Sequence, residues 1–119
     1  MRHIILTLSL VLLAAPAFAH EVAKGPNGGP VSDAGDYHVE LVPKTGSVDV
    51  FVTDAKDQPV AGAKGIAILL VEGKQQRVVL EGTEAGKLAG KLGSAAVPQA
   101  KGVVQLTLPQ GGTVQARFK

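Results

Sequence analysis

The chain has 119 residues, 12 Lys or Arg against 10 Asp or Glu for a net charge of +2, and is 45% hydrophobic. Its charges are scattered singly, with no basic run and no interleaved aromatics, which argues against a nucleic-acid surface. The length allows one modest core, and the absence of cysteine excludes both a disulfide framework and a thiolate site.

Residues 1–19 have the three parts of a secretory signal peptide. Arg2 is the positive region, Ile4 to Ala15 is apolar apart from Thr7 and Ser9, and Pro16 leads to the small-x-small site Ala17-Phe18-Ala19. The run is shorter than the roughly 20 apolar residues of a membrane span. Cleavage after Ala19 leaves 119 − 19 = 100 residues with a net charge of 11 − 10 = +1. The expectation is a periplasmic protein with no membrane span after cleavage. Met1 is the single methionine and departs with the leader, so the exported chain holds no soft sulfur ligand for Cu(I).

Residues 20–30, HEVAKGPNGGP, read as a loose N-terminal arm and turn, with the domain proper over 31–119. Glycine and proline then punctuate short β-rich runs at even intervals, which predicts an all-β domain, an immunoglobulin-like β-sandwich of about seven strands. Val31 begins a short edge strand. In YHVELV (37–42), Tyr37, Val39 and Leu41 share one face, and His38, Glu40 and Val42 the other. SVDVFVT (47–53) turns Val48, Val50 and Val52 inward. DAKDQPVAGAKG (54–65) is turn chemistry, with Pro59 incompatible with a central strand. IAILLVE (66–72) and QQRVVLE (75–81) form a hairpin about Gly73-Lys74. KLAGKL (87–92) alternates as a strand, and GVVQLTL (102–108) and TVQARFK (113–119) close a last hairpin about PQGG.

No catalytic constellation is present. The exported chain has two histidines and three serines in turn-like settings, with no nucleophile elbow, phosphate loop or dinucleotide fingerprint, so no enzyme is expected. The histidines carry the chemistry. After cleavage His20 is the first residue. Its α-amine, with a pKa of roughly 7.7–8.0, gives up its proton readily to a metal, and the amine and imidazole Nδ1 close a chelate ring. A second imidazole from His38 completes a three-nitrogen T shape that suits Cu(II), ahead of Zn(II) or Ni(II). Asp33, Asp36, Glu21 and Glu40 are oxygen donors for the same ion. Glu40 is on His38's strand face, about 6.5–7 Å along the strand, on the side expected to be accessible.

GPNGGPVSDAGDYHVELV (25–42), followed by VDVFVTDAKDQPVAGAKG (48–65), resembles small periplasmic proteins of bacterial heavy-metal and copper resistance. It is also similar to the N-terminal extension of metal-efflux adaptor subunits. The shared features are Gly28-Gly29, the strand Tyr37 to Val42, and Val52, Asp54, Pro59 and Val60. The resemblance implies metal buffering or delivery in resistance or efflux, with an efflux adaptor or another envelope protein as partner. Only His20 and His38 carry over as ligands. The alternative is a non-catalytic interaction module of the bacterial envelope that binds no metal.

Overall fold

A computed structural model describes residues 23–119. The fold is all-β, with no helix among the described residues. Its strands are β1 (Val31–Ala34), β2 (Tyr37–Lys44), β3 (Ser47–Thr53), β4 (Lys64–Val71), β5 (Lys74–Glu84), β6 (Lys87–Lys91), β7 (Gly102–Thr107) and β8 (Thr113–Phe118). All neighbours are antiparallel, in the order β1-β2-β3-β6-β5-β4-β7-β8.

That order is the immunoglobulin arrangement with one strand added. Taking β2, β3 and β6 as A, B and E, and β4, β7 and β8 as C, F and G, gives the two sheets of an immunoglobulin-like sandwich, with β5 shared between them and most of it paired to β4. The added strand is β1, which begins at Val31 as the sequence suggests and pairs outside β2.

The long strand β5 joins the two layers. Residues 74–80 pair with β4, and Glu81 to Glu84 pair with β6. The strand changes sheet between Leu80 and Glu81, and the register shifts just beyond, between Gly82 and Glu84, where one extra residue interrupts the pairing with β6. Opposite, the end strands β1 and β8 meet where Ser32 Oγ donates to the Arg117 carbonyl at 2.8 Å, and beside them Gln110 Nε2 of the β7–β8 turn donates to the Tyr37 hydroxyl of β2 at 2.9 Å.

Strand alternation decides what faces inward. Val39 and Leu41 from β2, Val48, Val50 and Val52 from β3, and Leu88 from β6 meet Leu69, Val78, Leu80, Val104, Leu106 and Phe118 from the other sheet. Each fully buried aliphatic side chain contributes about 1.5–3 kcal/mol of transfer free energy. With no tryptophan, and only Phe118 buried among the aromatics of the described residues, the core rests on interdigitated Val and Leu.

Three local readings change. The β4–β5 hairpin turns at Glu72-Gly73, because Val71 pairs with Lys74 and both turn residues have positive φ (51° and 78°). That is the two-residue geometry whose twist suits a hairpin. Strand β2 continues through Pro43 to Lys44. The segment Ala23–Pro30 is fastened rather than loose: Lys24 bridges Pro30, and Val31 N–H donates to the Ala23 carbonyl at 2.8 Å.

Candidate functional site

The site lies on the outer face of the sheet β1-β2-β3-β6. Strand register places Asp33 of β1 opposite His38 of β2, which in turn lies opposite Thr53 of β3. One step along, Val31, Glu40 and Phe51 are opposite one another. These side chains all point away from the core. The chain from Ala23 to Pro26 folds back over them, leaving a concavity of about 460 Å³ lined by arm residues together with Val31, His38, Glu40, Phe51, Thr53 and Asp57.

Glu40 differs most from its sequence reading. Although it is on the outward face of β2, it is only 4% exposed. One carboxylate oxygen accepts the Gly29 N–H at 2.9 Å and the Asn27 N–H at 3.0 Å, and the other accepts Asn27 Nδ2 at 3.0 Å. The GPNGG turn is thus a cradle of donors wrapped around a carboxylate. Two glycines make the approach possible: a Cβ at Gly25 would land on the Glu40 carboxylate, and one at Gly29 on the Leu41 carbonyl. The expected accessible face is therefore corrected at Glu40, whose oxygens are committed to the turn. The close spacing of Gly25, Asn27 and Gly29 marks a turn, and nothing in it records the anion that the turn encloses.

His38 is half-exposed, and its two ring nitrogens have different surroundings. Nδ1 lies 2.7 Å from Asp33 Oδ1, and Nε2 lies 3.9 Å from Asp57 Oδ1. The hydrogen bond to Asp33 raises the imidazole's pKa above its ordinary value. Partial burial opposes this, and the charges of Asp33 and Asp57 act in the same direction as the hydrogen bond. With Nδ1–H directed at Asp33, Nε2 is the nitrogen left to face the concavity.

Asp57 belongs to no sequence-based ligand set, and its position comes from a tight turn. Asp54 Oδ1 accepts the N–H groups of Lys56 (2.9 Å) and Gln58 (3.0 Å), and the Asp54 carbonyl accepts the Asp57 N–H at 3.0 Å. These backbone donors hold the Asp54 carboxyl below its ordinary pKa. Asp57 takes the left-handed conformation, φ 60°, that ends such a turn, and its carboxylate is carried to the rim beside His38.

His20 and Glu21, and the expected leader over 1–19, lie outside the described residues. Asp36, named as a further oxygen donor, is exposed in the β1–β2 turn and does not line the concavity. Among the described residues no three His, Asp or Glu side chains converge as a metal-ligand set. His38 and its two aspartates supply one free nitrogen and one nearby oxygen, so a tight site here needs donors from upstream of Ala23. Comparison with protein-family models, curated proteins and solved structures gave no significant match, so the reading of function rests on this geometry and on sequence.

Proposed function

We propose that the protein is an exported, periplasmic metal-binding protein, holding Cu(II) through the amine and imidazole of His20 and the Nε2 of His38. Its role is metal buffering or delivery to a resistance or efflux system, the setting its sequence resembles. The observation that carries the reading is the course of the arm. Ala23, Lys24 and Pro26 line the same concavity as His38. Three residues of extended chain from Ala23 back to His20 span at most about 10 Å. That short reach from a residue lining the concavity is what supports His20 as a ligand partner of Nε2.

The chemistry of the described residues fits such a ligand set in two respects. A carboxylate on Nδ1 fixes the tautomer and ring orientation, as carboxylates behind metal-bound histidines do. Asp57 offers an oxygen near Nε2, taking the part assigned from sequence to Glu40. Nitrogen and oxygen donors without sulfur favour Cu(II), with Zn(II) or Ni(II) behind it. When bound, the ion would be held by His20 and His38 and oriented by Asp33.

The test is a Cu(II) titration of protein beginning at His20, followed by visible absorption and electron paramagnetic resonance. The expected result is a one-to-one complex with nitrogen hyperfine structure. It weakens when an alanine is added before His20 and again with His38→Ala. Binding indifferent to both changes would refute the reading. The alternative, an interaction module, has its support on the opposite sheet.

A further inference from the structure

The outer face of β5-β4-β7-β8 carries apolar side chains that nothing in the described chain covers. Strand register puts four residues in one row: Arg77 opposite Ile68, Ile68 opposite Val103, and Val103 opposite Arg117. The adjoining row has Val79 opposite Ile66, and Ile66 opposite Gln105. Ile68 is 42% and Val79 55% exposed, and Ile66 and Val103 are partly so. The apolar centre thus lies between two exposed guanidinium groups, whose strands are three spacings, about 14 Å, apart. Neither arginine has a carboxylate partner among the described residues, whereas Lys44 and Lys87 on the other sheet are both paired with Asp49.

We propose that this face is a docking surface for an extended acidic segment of a partner protein, with aliphatic or aromatic side chains seated on Ile68 and Val79 and carboxylates meeting Arg77 and Arg117. Charge selects the occupant. A second copy placed face to face would bring arginines against arginines and bury cations without partners. A carboxylate-bearing partner turns the same two groups into bidentate contacts, the geometry in which arginine is most effective. Size selects a segment rather than a whole domain. Four strands by three outward residues cover about 400 Å², half of what each side of a stable protein–protein interface buries. The face also lacks the Trp, Tyr or Phe that anchor proteins in a lipid interface: its outward residues are aliphatic, polar or basic, with Glu81 the one acidic side chain at its edge beyond Val79. This surface is independent of the metal reading and stands or falls without it.

The test pans a phage-displayed library of random twelve-residue peptides on the protein, with counter-selection on the Arg77→Glu/Arg117→Glu double variant. The expected peptides combine two or more Asp or Glu with apolar anchors. Synthesised, they bind in the micromolar range and lose at least tenfold on Arg77→Glu, on Val79→Ser, and between 50 and 500 mM salt. Unchanged thermal midpoints of the variants exclude unfolding as the cause. The proposal is overturned if no peptide is enriched, or if the enriched peptides bind the variants equally. It is also overturned if the protein instead sediments with phosphatidylglycerol vesicles, but not phosphatidylcholine vesicles, through the same arginines.

Discussion

The two outer faces of the sandwich obey the same strand alternation and end in opposite conditions. On the β1-β2-β3-β6 side the outward row includes two carboxylates, Glu40 and Asp49, that are 4% and 6% exposed. On the β5-β4-β7-β8 side the outward-facing residues include Ile68 and Val79, which are about half exposed. A polar residue is buried where an apolar one would be expected, and apolar residues face solvent where polar ones would be expected. The difference lies in what crosses each face. The Ala23–Pro30 segment lies over the first and supplies hydrogen-bond donors to Glu40, while Lys44 and Lys87 on the same face pair Asp49. No described segment crosses the second. Alternation therefore specifies which side chains point inward, and says nothing about the surroundings of those that point outward.

The largest expected effect tests the covered face at its centre. Glu40→Ala strips the acceptor from the Asn27 and Gly29 N–H groups, one of them buried, and leaves a void under the turn. The expected loss is about 3 kcal/mol, a large share of the 5–15 kcal/mol that stabilises a domain of this size. It is read as a lowered urea midpoint. Gly25→Ala reaches the same contact from the other side by pushing a methyl onto the carboxylate, at a cost of about 1–3 kcal/mol. If Glu40→Ala cost less than about 1 kcal/mol, the turn would be held by its backbone bridge, and the contrast between the faces would lose its cause.

A smaller effect is expected at Asp49. Its carboxylate is paired with Lys44, and Lys87 lies 3.9 Å away and over the Phe51 ring at 5.8 Å from the centroid. Both lysines keep solvent access, Lys44 more than Lys87, so removing Asp49 allows them to rehydrate. Asp49→Ala should cost about 1 kcal/mol, most of it lost as salt is raised. On the open face, Ile68→Thr and Val79→Thr keep a β-branched side chain and should change stability by less than about 0.5 kcal/mol each. A large loss at either would mean that the aliphatic row supports the fold, and the argument for docking would weaken with it.

The legibility of the sequence follows the same division. The alternating runs Tyr37–Val42 and Ser47–Thr53 identify the inward faces of β2 and β3, and their valines and Leu41 are fully buried. The even Gly and Pro spacing identifies the all-β class. The eighth strand was visible only as an edge beginning at Val31. The burial of Glu40 was not legible, because it depends on a contact 11 to 13 residues away in sequence that no periodicity records. Asp57 was missed for a similar reason: a left-handed residue at the end of a turn is placed by backbone geometry, and only the Asp54 turn signal hints at it. The run Ile66 to Val71 is apolar on both faces of β4. Ile68 shows that one of those sides is open.

The smallest effect is a titration at the edge of the covered face. Asp33 raises the His38 pKa through a hydrogen bond to Nδ1. Histidine resonances followed by NMR across pH should place His38 above the ordinary histidine value in the wild type, and Asp33→Asn should bring it down. The sign for stability follows from the direction of the shift. The folded state holds the proton more tightly than the unfolded state, so the contribution is complete below the ordinary histidine pKa and fades as pH rises through the folded value. The wild type and Asp33→Asn should therefore differ most in mildly acidic solution and converge in alkaline solution. If Cu(II) binds at Nε2, its affinity should follow the opposite trend and fall as that proton is taken up, because metal and proton compete for one nitrogen. A His38 that titrates at the ordinary value in both proteins would show that the 2.7 Å contact is not maintained in solution, and Asp33 would lose its role in orienting the ring.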